Sequence, residues 1–186
     1  KNAGYHSYVN GQKAWNGVAI LSKEKLKITN TSIPKYDDPN ARFIETEIQL
    51  KKIKKYIKLI NIYLPNGNPI ETEKFDYKIE WMKKLNRYIK DLKKNNTPII
   101  ISGDFNVIPT DDDVYSPENF KNDACAHPLT REQYRILINL GFTDLVKHFV
   151  EGKTNWTFWG YRGGGWQKGN GLRIDHFLTT ANVTDL

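Results

Sequence analysis

The chain has 186 residues, 39% hydrophobic and 26% charged, with 13 Gly, 8 Pro and one cysteine. This ordinary composition excludes a collagen, a linker protein and a chain disordered throughout, and the lone Cys125 excludes an internal disulfide framework and a CxxC metal site. The net charge of +7 divides into +10 over residues 1–100 and −3 over the rest, which suits a polyanionic partner but is equally the product of a lysine-rich genome. No apolar run approaches the roughly 18 residues needed to cross a bilayer. There is no n-region or h-region of a signal peptide. With one cysteine, the expectation is a cytoplasmic protein without a membrane partner. The start at Lys1 without Met, and the stop just after a strand-like run, lead us to expect a piece of a longer chain.

Taken in order, Gly17 to Ser22 predicts a buried strand. Phe43 to Leu50 predicts a second, entered from the Asp37-Asp38-Pro39-Asn40 turn. Lys51-Lys52-Ile53-Lys54-Lys55 reads as a solvated hairpin tip leading into a strand over Tyr56–Tyr63. Pro65-Asn66-Gly67-Asn68-Pro69 is a break, and from Glu71 the period changes. Ile79, Met82, Leu85, Ile89 and Leu92 recur every three or four residues, predicting an amphipathic helix of about six turns ended by Asn95-Asn96-Thr97-Pro98. Pro98–Ser102 is a short apolar strand, followed by a long loop with Asp111-Asp112-Asp113. Leu129–Leu140 predicts a second helix, Trp156–Gly171 is aromatic and Gly-rich, and Leu172–Thr180 closes the chain as a strand. The alternation predicts a layered α/β or α+β domain over residues 1–186.

Ile99-Ile100-Ile101-Ser102-Gly103-Asp104-Phe105-Asn106 is the sharpest constellation. Asp104 and Asn106, two apart at a strand end, can face one target. The carboxylate can take a proton or hold a water or a metal, and the amide can steady a phosphoryl oxygen. The same pair also suits an Asx turn. Tyr63 ends a strand beside the Pro65 turn, where its hydroxyl either faces a cleft or packs as a strand aromatic. Asp175, in an apolar strand, needs a partner, and Arg173 two residues away predicts a structural ion pair. The segment from Trp156 to Lys168 interleaves aromatics, Gly and basic residues, as surfaces that stack bases and touch phosphates do; core aromatics beside a loop fit it equally. The four histidines show no metal-ligand spacing, and Asp111-Asp112-Asp113 lacks the later Gly and Glu of an EF-hand. Cys125 reads as a small buried residue.

In order, GYHSYVNGQKAWNGVAILSK, NIYLPNG, KFDYKIEWM, PIIISGDFNVIPTDDDV, HPLTREQY…LGFTDLVKHF, TFWGYRGGGW and GLRIDHFL resemble the exonuclease III family of abasic-site endonucleases, within the endonuclease/exonuclease/phosphatase superfamily. The resemblance implies a four-layer sandwich of two mainly antiparallel β-sheets packed face to face with helices outside. It implies a Mg²⁺- or Mn²⁺-dependent phosphodiesterase, monomeric when complete, that incises double-stranded DNA 5′ to abasic sites and trims 3′ ends in bacterial, nucleoid-associated repair. Carried over by position, Asp104 orients or deprotonates the attacking water, and Asn106 holds the transition state; both are metal ligands. Tyr63 and Asn66 contact phosphate, and Asp175 orients a catalytic histidine. Phe158, Leu172 and Ile174 wall the pocket for the base-less sugar, with Arg162 and Trp15 on flanking backbone. The family's Gln-Glu motif, with its main metal ligand, and its Ser-Asp-His do not occur here. His176, one residue past Asp175, points to the other face and cannot replace the latter's histidine. The expectation is therefore a domain truncated at both ends and inactive by itself. The alternatives are another phosphoesterase of the superfamily, acting on inositol phosphates or sphingomyelin, and a non-catalytic nucleic-acid-binding module.

Overall fold

The computed structural model describes residues 3–49, 56–150, 155–160 and 163–185. Its frame is a six-stranded mixed sheet in the order β3-β4-β5-β6-β10-β7. The strands are β3 (Lys27–Asn30), β4 (Phe43–Gln49), β5 (Tyr56–Tyr63), β6 (Ile99–Asp104), β7 (Phe142–Asp144) and β10 (Asp175–Thr180). A hairpin of β1 (His6–Asn10) and β2 (Val18–Ser22) and a short pair, β8 (Phe158–Trp159) with β9 (Gly171–Leu172), complete the strands. β4 and β5 are antiparallel, as expected, although their joining lysine run lies outside the described residues.

β5 and β6 run parallel. A parallel pair needs a long crossover, and helix α1 (Glu73–Lys93) supplies it. Its stripe of Phe75, Ile79, Met82, Leu85 and Ile89 is buried, and Trp81 is wholly enclosed. The helix stops where Asn96 adopts a left-handed φ of 49°, before Pro98. Strand pleat decides which isoleucines meet it: Ile60, Ile62, Ile99, Ile101 and Leu178 join α1 and the second helix, α2 (Pro128–Asn139), in one core.

The alternate residues, Leu59, Asn61, Ile100, Ser102 and Phe177, face Ala19, Ile20 and Leu21 of β2 across an open cleft of about 300 Å³. Of the expected second sheet, the described residues form only this hairpin, so the layering is helix, sheet, hairpin. Phe177 consequently remains 41% exposed.

The structure corrects the long terminal strand. Leu172–Thr180 is broken at Arg173 and Ile174 into β9 and β10. Arg173 does not pair with Asp175. It is buried with Nε donating to Asp113 at 2.8 Å and Nη1 to Asp144 at 2.7 Å. The break frees Arg173 from strand alternation, and two carboxylates neutralise a guanidinium better than one. β1, β3, β7, β8 and the short helices α3 (Leu145–Phe149) and α4 (Ala181–Thr184) were not predicted; they are too short to show a period.

Candidate active site

Three strand ends converge. Tyr63 of β5 lies opposite Asp104 of β6, and Asp104 lies opposite Asp175 of β10. Directly opposed residues project from the same sheet face, so one hydroxyl and two carboxylates stand side by side. Backbone bonds lock the ends together: Leu64 N–H donates to the Asp104 carbonyl at 2.8 Å, and Phe105 N–H to the Ile174 carbonyl at 2.9 Å. Gly103 is needed for this closeness. Its φ is 130°, and a Cβ there would sit 2.1 Å from the Ile62 carbonyl oxygen.

Asp104 and Asn106 do form the Asx turn, with Asn106 N–H donating to Asp104 Oδ1 at 2.8 Å. Turn and site are the same structure. Asn106 is buried, at a left-handed φ of 46°. Its Nδ2 donates to the Leu64 carbonyl at 2.9 Å, and its Oδ1 accepts from Asn66 Nδ2 at 3.0 Å. The Asn106 oxygen is thus turned toward Asn66.

Burial pushes the Asp104 carboxyl up to about 6, opposed by the Asn106 N–H and reinforced by the Asp175 charge. Asp175 is also raised by burial, against a hydrogen bond from Thr157. Two carboxylates side by side, one of them raised to about 6, exchange a proton near neutrality, which suits acid/base work. They also suit a hard divalent cation. Such an ion relieves their repulsion, and Mg²⁺ binds through one or two carboxylates plus waters and phosphate oxygens. Among the described residues no three His, Cys, Asp or Glu side chains form a closed cage. Of the expected ligands, Asp104 fits, with Asp175 opposite it, whereas the Asn106 oxygen is engaged by Asn66 Nδ2 at 3.0 Å.

Arg42 stacks its guanidinium 4.9 Å from the centre of the Tyr63 ring, and its Nη1 donates to the Tyr63 carbonyl at 3.1 Å. The sequence had marked neither Arg42 nor Lys78. Lys78 is wholly buried behind the site, with Nζ donating to the carbonyls of Asn66 at 3.0 Å and Asn106 at 2.6 Å. A charged residue on the apolar stripe of α1, three after Phe75 and four before Met82, was the available signal for it.

The remaining predicted residues are more dispersed. Phe158 pairs with Leu172 across β8–β9, and both line a pocket of about 290 Å³ with Tyr115, Phe120 and Asn170. Ile174 is not on the same strand face as Leu172. It lies buried with Ile108, Val114 and Cys125, and Leu172 packs against that cluster from outside. Trp15 is 86% exposed on the loop joining β1 and β2. Arg162 lies outside the described residues. Asp175 meets no histidine among the described residues; His176 is buried on the other face, its Nε2 donating to the Val107 carbonyl at 2.9 Å and its ring packed on Phe105 and Tyr134. Burial and the Arg173 charge hold its pKa down to about 4, so it stays neutral.

The strand-end carboxylate pair and its flanking amides are a donor set suited to phosphoester cleavage. The chain belongs to the Endonuclease/Exonuclease/phosphatase family, whose family model matches residues 1–186, and the expected kinship with exonuclease III-type enzymes is borne out. An exodeoxyribonuclease III of Haemophilus influenzae is 32% identical over all of this chain and 72% of its own length. A DNA-(apurinic or apyrimidinic site) endonuclease of Dictyostelium discoideum is 31% identical over 97% of this chain. The chain spans about half, 49%, of that relative. Among solved structures, a 3′ phosphatase, NExo, from Neisseria bound to a product DNA hairpin superposes with TM-score 0.84 at 31% identity, covering 96% of this chain and 68% of that one. The family's hydrolysis depends on a divalent metal.

Proposed function

We propose that the protein hydrolyses phosphodiester bonds in DNA, incising 5′ to abasic sites and removing nucleotides from 3′ ends in cytoplasmic DNA repair. The observation that carries this reading is the in-register row of Tyr63, Asp104 and Asp175, with the Asn66–Asn106 amides beside it. Bound Mg²⁺ or Mn²⁺ supplies charge neutralisation at the phosphate. Asp104 takes the proton of the attacking water, whose oxygen bonds to phosphorus as the P–O bond to the leaving 3′ oxygen breaks. Asp175 shares the proton load, and Tyr63 and Asn66 donate hydrogen bonds to phosphate oxygens. Asn106 holds Asn66 in place.

The pocket between β8 and β9 receives the base-less sugar: it is small, with Phe158 and Leu172 as apolar walls. An abasic nucleotide is also easier to extrude than a paired base. In the full-length protein, Phe158→Ala is expected to erode the preference for abasic over intact duplex more than it lowers cleavage in general. Incision of abasic duplex, intact duplex and an inositol polyphosphate, measured side by side, checks this. Faster hydrolysis of the inositol compound would establish the alternative phosphoesterase. DNA binding without hydrolysis of any of the three would establish the binding module.

Tyr63→Phe removes one hydroxyl and one hydrogen bond, worth up to about tenfold in rate. Single-turnover incision measures it. Binding is expected to weaken with salt as phosphate contacts release counterions, and a titration from low to high salt gives the slope.

A further inference from the structure

Lys78 has no place in the chemistry above, yet its burial is costly. An ammonium held away from water must be compensated, and here Asp123 and Asp104 act on it only through their charges, without a hydrogen bond. Its hydrogen bonds go instead to two backbone carbonyls, of Asn66 and Asn106. These belong to different loops, one leaving β5 and the other leaving β6. The adjacent residue Gly67 is shaped to the lysine stem: its φ is 87°, and a Cβ there would approach Lys78 Cδ to 2.6 Å. The side chains of the same two asparagines meet on the other side, Nδ2 of Asn66 on Oδ1 of Asn106 at 3.0 Å.

We propose that Lys78 is a positioning residue, clamping the loop after β5 to the loop after β6 so that Asn66 and Asn106 stay aligned with the carboxylates. An apolar residue at 78 would leave the buried Asn106 carbonyl and the part-buried Asn66 carbonyl without this donor, and the loops would drift apart. The inference rests on the reading of Asn66 and Asn106 as site residues.

The test compares Lys78→Met and Lys78→Arg with the parent in the full-length protein. The readouts are the side-chain amide resonances of Asn66 and Asn106 by NMR and steady-state incision of an abasic duplex. In Lys78→Met the two amide resonances are expected to move to solvent-averaged positions, and kcat to fall about 10²-fold, as for a small misplacement of site groups. KM should stay within about threefold, because Lys78 itself touches no substrate and the groups it aligns act chiefly in the transition state. Lys78→Arg, which keeps the charge and the donors, should recover native resonances and most of kcat. Native resonances in folded Lys78→Met overturn the clamp, whatever the rate. Should Lys78→Met fail to fold, Lys78→Arg decides: native resonances support the clamp, and displaced ones in a folded protein overturn it. A parent that does not incise DNA overturns the proposed function, while the amide resonances still decide the clamp.

Discussion

Asp104→Asn is expected to lower incision of an abasic duplex by at least about 10² while leaving DNA affinity intact, the usual loss for a positioned acid/base group. The same substitution is expected to stabilise the fold. Asparagine is close in shape to aspartate, and its Oδ1 can still accept the Asn106 N–H, now 2.8 Å from the carboxylate. What it removes is a carboxylate that burial and Asp175 make reluctant to ionise, with a pKa raised to about 6. A carboxyl whose folded pKa lies above its unfolded value binds its proton more tightly when folded. The native protein is therefore best off below the unfolded pKa, about 3.9, and loses stability as pH rises toward 6. At pH 7 the loss is complete, and Asp104→Asn should recover about 1–3 kcal/mol, allowing for screening at this half-buried position. At pH 4 it should recover nothing. Urea melts of the two proteins at both pH values, without metal, measure the difference. Equal stability at pH 7, or parental incision by Asp104→Asn, would show the site to be elsewhere. Lost rate with gained stability is the trade expected where a group is kept for chemistry.

Arg173→Met is expected to cost about 3–5 kcal/mol at neutral pH, because it takes the buried guanidinium away from buried Asp113 and partly buried Asp144. Asp113 is almost wholly enclosed, and Arg173 and the Thr110 hydroxyl hold its pKa below the usual range. Lys147 reaches its other oxygen at 3.2 Å, from a half-exposed position. The pH dependence has a definite sign. The depressed Asp113 carboxyl contributes stability above its unfolded pKa, and that contribution fades as pH falls through the folded value. Native and variant should therefore converge in acid and separate toward neutrality. Denaturant midpoints between pH 3 and 7 follow this directly; a constant gap across that range would mean that packing, not charge, is what Arg173 supplies. Because Arg173 sits between Leu172 and Asp175, some loss of incision should accompany the loss of stability.

Much of the molecule was legible in its amino-acid order. The change from period two in Tyr56–Tyr63 to period 3.6 across Ile79, Met82, Leu85 and Ile89 marked both β5 and α1. The apolar run Ile99-Ile100-Ile101 marked a short strand, and it is the neighbour of β5, although Ile100 looks onto the open cleft rather than a covered face. Why a glycine precedes Asp104 became clear only in the structure, where Ile62 leaves no room for a Cβ at Gly103. Shorter elements escaped because two to five residues carry no period. The terminal strand was overextended because apolar alternation from Leu172 to Leu178 is the same whether or not the chain bends at Arg173.

Sequence by itself marked the candidate groups: Asp104 and Asn106 by residue type at the end of an apolar strand, and Tyr63 and Asp175 through the family resemblance, since locally Tyr63 also suited a packed strand aromatic and Asp175 an ion pair with Arg173. Tertiary structure alone decided who meets whom. It set Asp175 against Asp104 rather than Arg173, gave Arg173 to Asp113 and Asp144, and brought Lys78 under the carbonyls of Asn66 and Asn106. The physical reason is that these partners lie 12 to 71 positions apart along the chain. Periodicity and propensity act within a turn or a strand, whereas the satisfaction of buried charge is settled only when the sheet closes and water is excluded.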